Sequence, residues 1–101
     1  MKLPQECASL AEVRAEIDAL DYQIITALGR RFEYVKVAAR FKTSAANVRA
    51  PDRQKAMLAQ RRQWAAENEL SPDVIENIYR ELVEYFVAEE MKSWLGQPAP
   101  E

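Results

Sequence analysis

The sequence predicts an all-α protein built from three helices. Three amphipathic stretches account for almost the whole chain, and in the first of them apolar residues recur at alternating spacings of three and four. Each stretch opens on a helix-start signal, and none shows the period-two alternation of a half-buried strand.

The first helix begins at Ser9, with Glu12 three residues on, the spacing of a capping box. Its apolar stripe runs Leu10, Val13, Ile17, Leu20, Ile24, Leu28, Phe32 and Val35, and nothing breaks it until about Phe41. Gly29 falls inside this helix at a cost of about 1 kcal/mol relative to alanine, which we read as close packing of another helix. Thr43-Ser44-Ala45-Ala46-Asn47 reads as a loop. The second helix starts at Ala50-Pro51-Asp52, with proline in the first turn where its missing N–H costs nothing. It runs through Met57, Leu58 and Trp64 to about Asn68. Ser71-Pro72-Asp73 opens the third, whose stripe is Val74, Ile75, Ile78, Tyr79, Leu82, Val83, Phe86, Val87, Met91 and Trp94. Gly96, Pro98 and Pro100 end it. There is no internal repeat, and residues 1–101 are expected to form a single domain.

Length makes the first helix a problem for one chain. About 33 residues at a 1.5 Å rise span roughly 50 Å. A compact domain of this size has a radius of gyration of only about 13 Å. The helix is therefore expected to project beyond its own domain while still carrying an apolar stripe. A second copy of the chain would bury that stripe, which predicts an intertwined homodimer.

What the chain lacks narrows its chemistry. It has no histidine and one cysteine, Cys7. Triads, Cys-His nucleophiles and nearly all zinc sites need residues that are missing, so no metal is expected. With Gly only at 29 and 96, no Gly-rich phosphate loop can form, and no cofactor is expected. A lone cysteine permits no disulfide within the chain, which suits a reducing compartment. No apolar run reaches the roughly 18 residues of a membrane span. The opening Met1-Lys2-Leu3-Pro4-Gln5-Glu6 is unlike a signal peptide, so a cytoplasmic protein is expected. Residues 29–62 hold ten of the fourteen basic side chains against Glu33 and Asp52, net +8 in a chain of net −2. That asymmetry calls for an anionic partner, a metabolite or a nucleic acid.

Helical phase arranges some of these cations. Arg31 and Lys42 are eleven residues apart, three turns plus about 20°, so on a continuous helix they share a face about 16 Å apart along the axis. Val35 and Ala38 lie between them, an apolar floor with charged walls suited to a small dicarboxylate. A solvated basic face is the plainer reading. Arg14 lies about 25 Å from Arg31 and roughly 100° round the helix, so only the Arg14 of an antiparallel partner could reach the same ligand. The plainer reading of Arg14 is an i,i+4 pair with Asp18. Glu90 is in phase with Tyr79 and Val83, and burial there would raise its pKa until the carboxyl stays protonated and donates a hydrogen bond. Glu89 is nearly as close to the stripe, and phase alone does not choose between them.

Leu10 to Arg14, Ile17-Asp18 with Asp21, Leu28-Gly29-Arg30-Arg31, Val35-Lys36 and Lys42 resemble the first helix of the all-helical chorismate mutase family. Val48-Arg49-Ala50-Pro51-Asp52-Arg53 is similar to that family's entry into its second helix, and the resemblance covers nearly the whole chain. Within the family it looks most like the isochorismate pyruvate lyase branch of pyochelin-type salicylate synthesis. Pro4, Cys7, Ala27-Leu28-Gly29-Arg30-Arg31, Tyr34-Val35-Lys36, Arg40-Phe41-Lys42, Met57-Leu58, Trp64-Ala65, Glu67-Asn68 and Ala88-Glu89 carry that likeness.

The resemblance implies the three-helix type II fold and a dimer with two equivalent pockets. Arg31 and the other subunit's Arg14 would hold the two carboxylates of isochorismate or chorismate. Lys42 would contact the ether oxygen or the adjoining carboxylate and Glu90 would donate to the ether oxygen, with Val35, Ala38, Arg53 and Met57 around them. The family's reactions are pericyclic and need no nucleophile, metal or histidine. Three positions depart from the family pattern. Glu90 replaces a glutamine, as in fungal-type mutases, and can donate only when protonated. Gln54 and Ala50 stand where many mutases carry acids, which favours the lyase over a dedicated mutase. A basic helical module for nucleic acid is a third reading, disfavoured by a pI of about 5.3.

Overall fold

The computed structural model describes residues 1–97, and among them every regular element is helical. The expected all-α architecture with a long first helix is what the chain adopts. Four α-helices follow a short 3-10 turn at Pro4–Glu6: α1 (Leu10–Ala38), α2 (Ala45–Arg49), α3 (Pro51–Glu67) and α4 (Pro72–Leu95). The chain divides into two compact units, Met1–Glu33 and a second from Tyr34 onward, with α1 running from one into the other. The expected stops at Pro98 and Pro100 lie outside the described residues.

In the first unit, the start of α1 is held as the sequence signal predicts, with one change. The Glu12 N–H donates to Ser9 Oγ at 3.1 Å, but the Glu12 carboxylate reaches back to the Ala8 N–H (2.6 Å) rather than to Ser9. The same carboxylate takes the Lys2 ammonium at 2.6 Å. Lys2 first, then the Ala8 N–H, holds the Glu12 carboxyl below its usual pKa. No residue of α1 is buried within the chain. A Cβ added at Gly29 would meet nothing within 4 Å, so the close packing expected at this glycine is not made among the described residues.

The second unit has its own core. α3 packs along α4, and α2 and a 3-10 turn at Ala39–Phe41 also pack against α4. Between them Ala39, Val48, Met57, Leu58, Ala65 and Phe86 are buried. Arg62 on α3 clamps the start of α4 through Asp73 (2.8 Å) and Glu76 (3.4 Å), and Glu76 also takes Arg80 at 3.0 Å. Ser71 caps α4 by accepting from the Val74 N–H, as its sequence predicts.

Turn chemistry in this unit departs from the sequence reading in two places. Residues 43–47, expected as loop, contain most of the single-turn helix α2, because the Ser44 hydroxyl accepts from the Asn47 N–H at 3.1 Å and nucleates it. α3 ends in a Schellman turn without glycine: the Leu70 N–H reaches the Ala65 carbonyl (2.9 Å), the Glu69 N–H reaches Ala66 (3.1 Å), and Glu69 sits at φ 59°. Ala50, between α2 and α3, is also left-handed at φ 41°. Left-handed backbone costs an L-residue roughly 1–2 kcal/mol, so both corners carry strain.

Candidate active site

The second unit gathers chemistry around Lys42. α1 stops at Ala38, the 3-10 turn follows, and Lys42 is extended at φ −86°, ψ 137°. The continuous-helix phasing of Arg31 with Lys42 is therefore corrected. The helix has ended four residues before the lysine, so 100° per residue no longer applies to it. Both backbone groups of Lys42 are engaged: its N–H donates to the Ala39 carbonyl (3.3 Å), and its carbonyl accepts from the Trp94 indole N–H (2.9 Å). Its ammonium donates to the Asn47 carbonyl at 3.0 Å, so the Lys42 side chain also ties down α2.

The ammonium stands 3.9 Å from Glu90 Oε2. Burial separates the two acids that helical phase left open. Glu90 is 5% exposed, whereas Glu89 is half-buried and pairs with Lys92 (3.0 Å). Burial raises the pKa of Glu90 above the usual carboxylate value, and the Lys42 charge only partly offsets this. Desolvation favours the neutral form, because an ionised carboxylate loses more hydration than one ammonium at 3.9 Å returns. When protonated, Glu90 can donate a hydrogen bond alongside the Lys42 ammonium, an arrangement suited to an oxygen that gains negative charge.

A cleft of about 490 Å³ opens beside Lys42, lined also by Ala46, Asn47, Ala50, Pro51, Asp52 and Arg53. Its volume lies within the roughly 300–1,000 Å³ of small-molecule sites. The expected pocket residues divide. Arg53 is exposed on this cleft; Val35 and Ala38 are half-buried at the end of α1; Met57, 2% exposed, belongs to the core. Arg14 and Arg31 belong to the first unit, Arg14 exposed and Arg31 half-buried on α1. Among the described residues no ion pair joins Arg14 to Asp18.

Two contributors escaped the sequence reading. Periodicity places Trp94 on the apolar stripe and says nothing of its N–H, although a partly buried indole needs an acceptor. Asn47, read as loop, supplies the carbonyl that holds the Lys42 ammonium.

An all-helical fold with a long first helix, a lysine just past its end and a buried acid on the last helix defines a class. The chain belongs to the chorismate mutase type II family, whose model matches residues 13–91. It is 45% identical over 94 residues to the isochorismate pyruvate lyase of Pseudomonas aeruginosa, covering 93% of each chain. It is also 34% identical over 83 residues to the T-protein of Haemophilus influenzae, a match that takes in 81% of this chain but 22% of that one. Among the described residues no helix is long and apolar enough to cross a membrane.

Proposed function

We propose that the protein is an isochorismate pyruvate lyase, forming salicylate and pyruvate, with weak chorismate mutase activity in the same pocket. The observation that carries this is the 45% identity to the Pseudomonas aeruginosa lyase, spread over 93% of both chains. In the reaction a hydrogen passes from the ring to the enolpyruvyl arm as the ether C–O bond breaks. No group outside the substrate enters or leaves. Catalysis is then a matter of folding the arm over the ring and stabilising charge on the departing oxygen.

Each residue has a part in that. Arg31 and Arg14 of the partner subunit hold the two carboxylates, each able to form a bidentate pair. Lys42 and protonated Glu90 donate to the ether oxygen, a role supported by their 3.9 Å separation and by the burial of the acid. Arg53, on the Lys42 cleft, meets the substrate's outer edge. The second copy is supported by α1, whose apolar stripe stays uncovered within the chain: Leu10, Val13, Ile17, Leu20 and Ile24 are all exposed. The enzyme works in the cytoplasm without metal or cofactor.

The match to the type II mutase model favours a second reading, a dedicated mutase converting chorismate to prephenate. Assay of the pure protein with each substrate decides between them. The lyase shows salicylate fluorescence from isochorismate at a kcat/KM well above that for prephenate formation. Prephenate formation alone overturns the lyase.

A further inference from the structure

α4 touches Lys42 at two points. Glu90 faces its ammonium at 3.9 Å, and the Trp94 indole N–H donates to its backbone carbonyl at 2.9 Å. Glu90 and Trp94 are four residues apart, so they stand on one face of α4 a single turn apart. The head and the root of one lysine are thus referenced to the same helix.

The root matters because of what lysine is. Its ammonium rides on a flexible four-carbon stem, so its position is only as definite as the backbone from which the stem springs. That backbone lies beyond the end of α1, in extended conformation, between a 3-10 turn and a five-residue helix. The Trp94 bond spans 52 positions of sequence and fastens this segment to α4.

We infer that Trp94 is a positioning residue for the reaction: its indole N–H fixes the Lys42 backbone so that the ammonium meets the breaking C–O bond beside Glu90. This rests on the reading of Lys42 as a group that touches substrate. A tryptophan that merely filled space would do so equally well without its N–H, and that is the distinction to test.

Trp94→Phe keeps an aromatic ring and removes the donor. It is compared with wild type, Lys42→Ala and the double variant in kcat and KM for isochorismate. Because small misplacements of a catalytic group are costly, Trp94→Phe is expected to lower kcat about tenfold while KM changes by less than about twofold. In the Lys42→Ala background the same change is expected to alter kcat by less than about twofold, since the group being positioned is gone. Backbone amides of residues 43–48 should exchange hydrogen about fivefold faster in Trp94→Phe, reporting a looser segment. An unchanged kcat, or a tenfold loss that persists without Lys42, overturns the proposal. Should the phenylalanine variant fold poorly, site-specific benzothienylalanine at 94, which replaces the N–H by sulfur at nearly constant shape, is read in the same way. If the wild type forms prephenate only, the lyase reading fails and the same cycle is read on prephenate. A wild type that turns over neither substrate overturns both.

Discussion

From Tyr34 onward the chain buries Ala39, Val48, Met57, Leu58, Ala65 and Phe86 against its own helices, whereas no residue of Met1–Glu33 is buried. Yet the two units are written in the same code. Leu10, Val13, Ile17, Leu20 and Ile24 recur with the spacing of Ile75, Tyr79, Leu82, Phe86 and their neighbours on α4. Periodicity therefore specifies that a face is to be covered, not which chain will cover it. For the second unit the answer lies within the chain. For the first, the proposed dimer supplies it.

The comparison breaks most directly at α1. In the proposed dimer, Leu20→Glu would remove an apolar contact worth about 2 kcal/mol and, by two-fold symmetry, do so twice. The dimer dissociation constant is expected to rise about a thousandfold, read by sedimentation across a dilution series. An unchanged sedimentation profile would leave the apolar face of α1 without its proposed occupant.

A smaller effect tests the proposed sharing of each pocket between two copies. Arg14→Ala and Lys42→Ala are each expected to lower kcat/KM about a hundredfold. Equal amounts of the two, unfolded and refolded together, should regain about a quarter of wild-type activity, because half the dimers are mixed and each holds one intact pocket. A mixture as inactive as its parents would place Arg14 in the pocket of its own chain, or in none.

The second unit's buried acid carries a pH signature. The Glu90 pKa is raised, and the donating form is the protonated one. kcat/KM should therefore be level below that pKa and fall about tenfold per pH unit above it. Glu90→Gln, whose amide donates at any pH, should be flat across the same range and exceed wild type at the alkaline end. A flat wild-type profile with no alkaline gain from Glu90→Gln would show that Glu90 does not act as a donor.

The smallest effect asks whether the second unit is stable on its own account. Glu69 sits at φ 59° in the turn after α3. Glu69→Gly relieves left-handed strain at some cost in unfolded-chain entropy, for a net gain of about 0.5–1 kcal/mol in urea unfolding. The same gain is expected in the wild-type and Leu20→Glu backgrounds. A gain confined to the wild type would mean that this unit, too, depends on a second copy.

Much of this was legible before the fold was known. The caps at Ser9 and Ser71 and the proline at position 51 mark helix starts because a helix leaves its first N–H groups unpaired, and short polar side chains answer that need locally. The buried acid at 90 could be suspected from its apolar neighbours, though only packing separates it from Glu89. The single turn of α2 was hidden because five residues cannot show a period, and one hydroxyl on Ser44 decides it. The end of α1 was hidden for a related reason: apolar spacing continues past Ala38 while the backbone tightens into a 3-10 turn. The Trp94 bond to Lys42 joins residues 52 apart, beyond the reach of any local pattern.

The bare face of α1 has a further consequence for how durable the molecule is. In the proposed dimer α1 finds its core in another molecule and so owes its stability to mass action. Its unfolding temperature should climb as the protein is concentrated, and fall on dilution with no change in buffer or sequence. Protease nicking within residues 10–33 would then serve as a gauge of how much of the chain is still waiting for a mate.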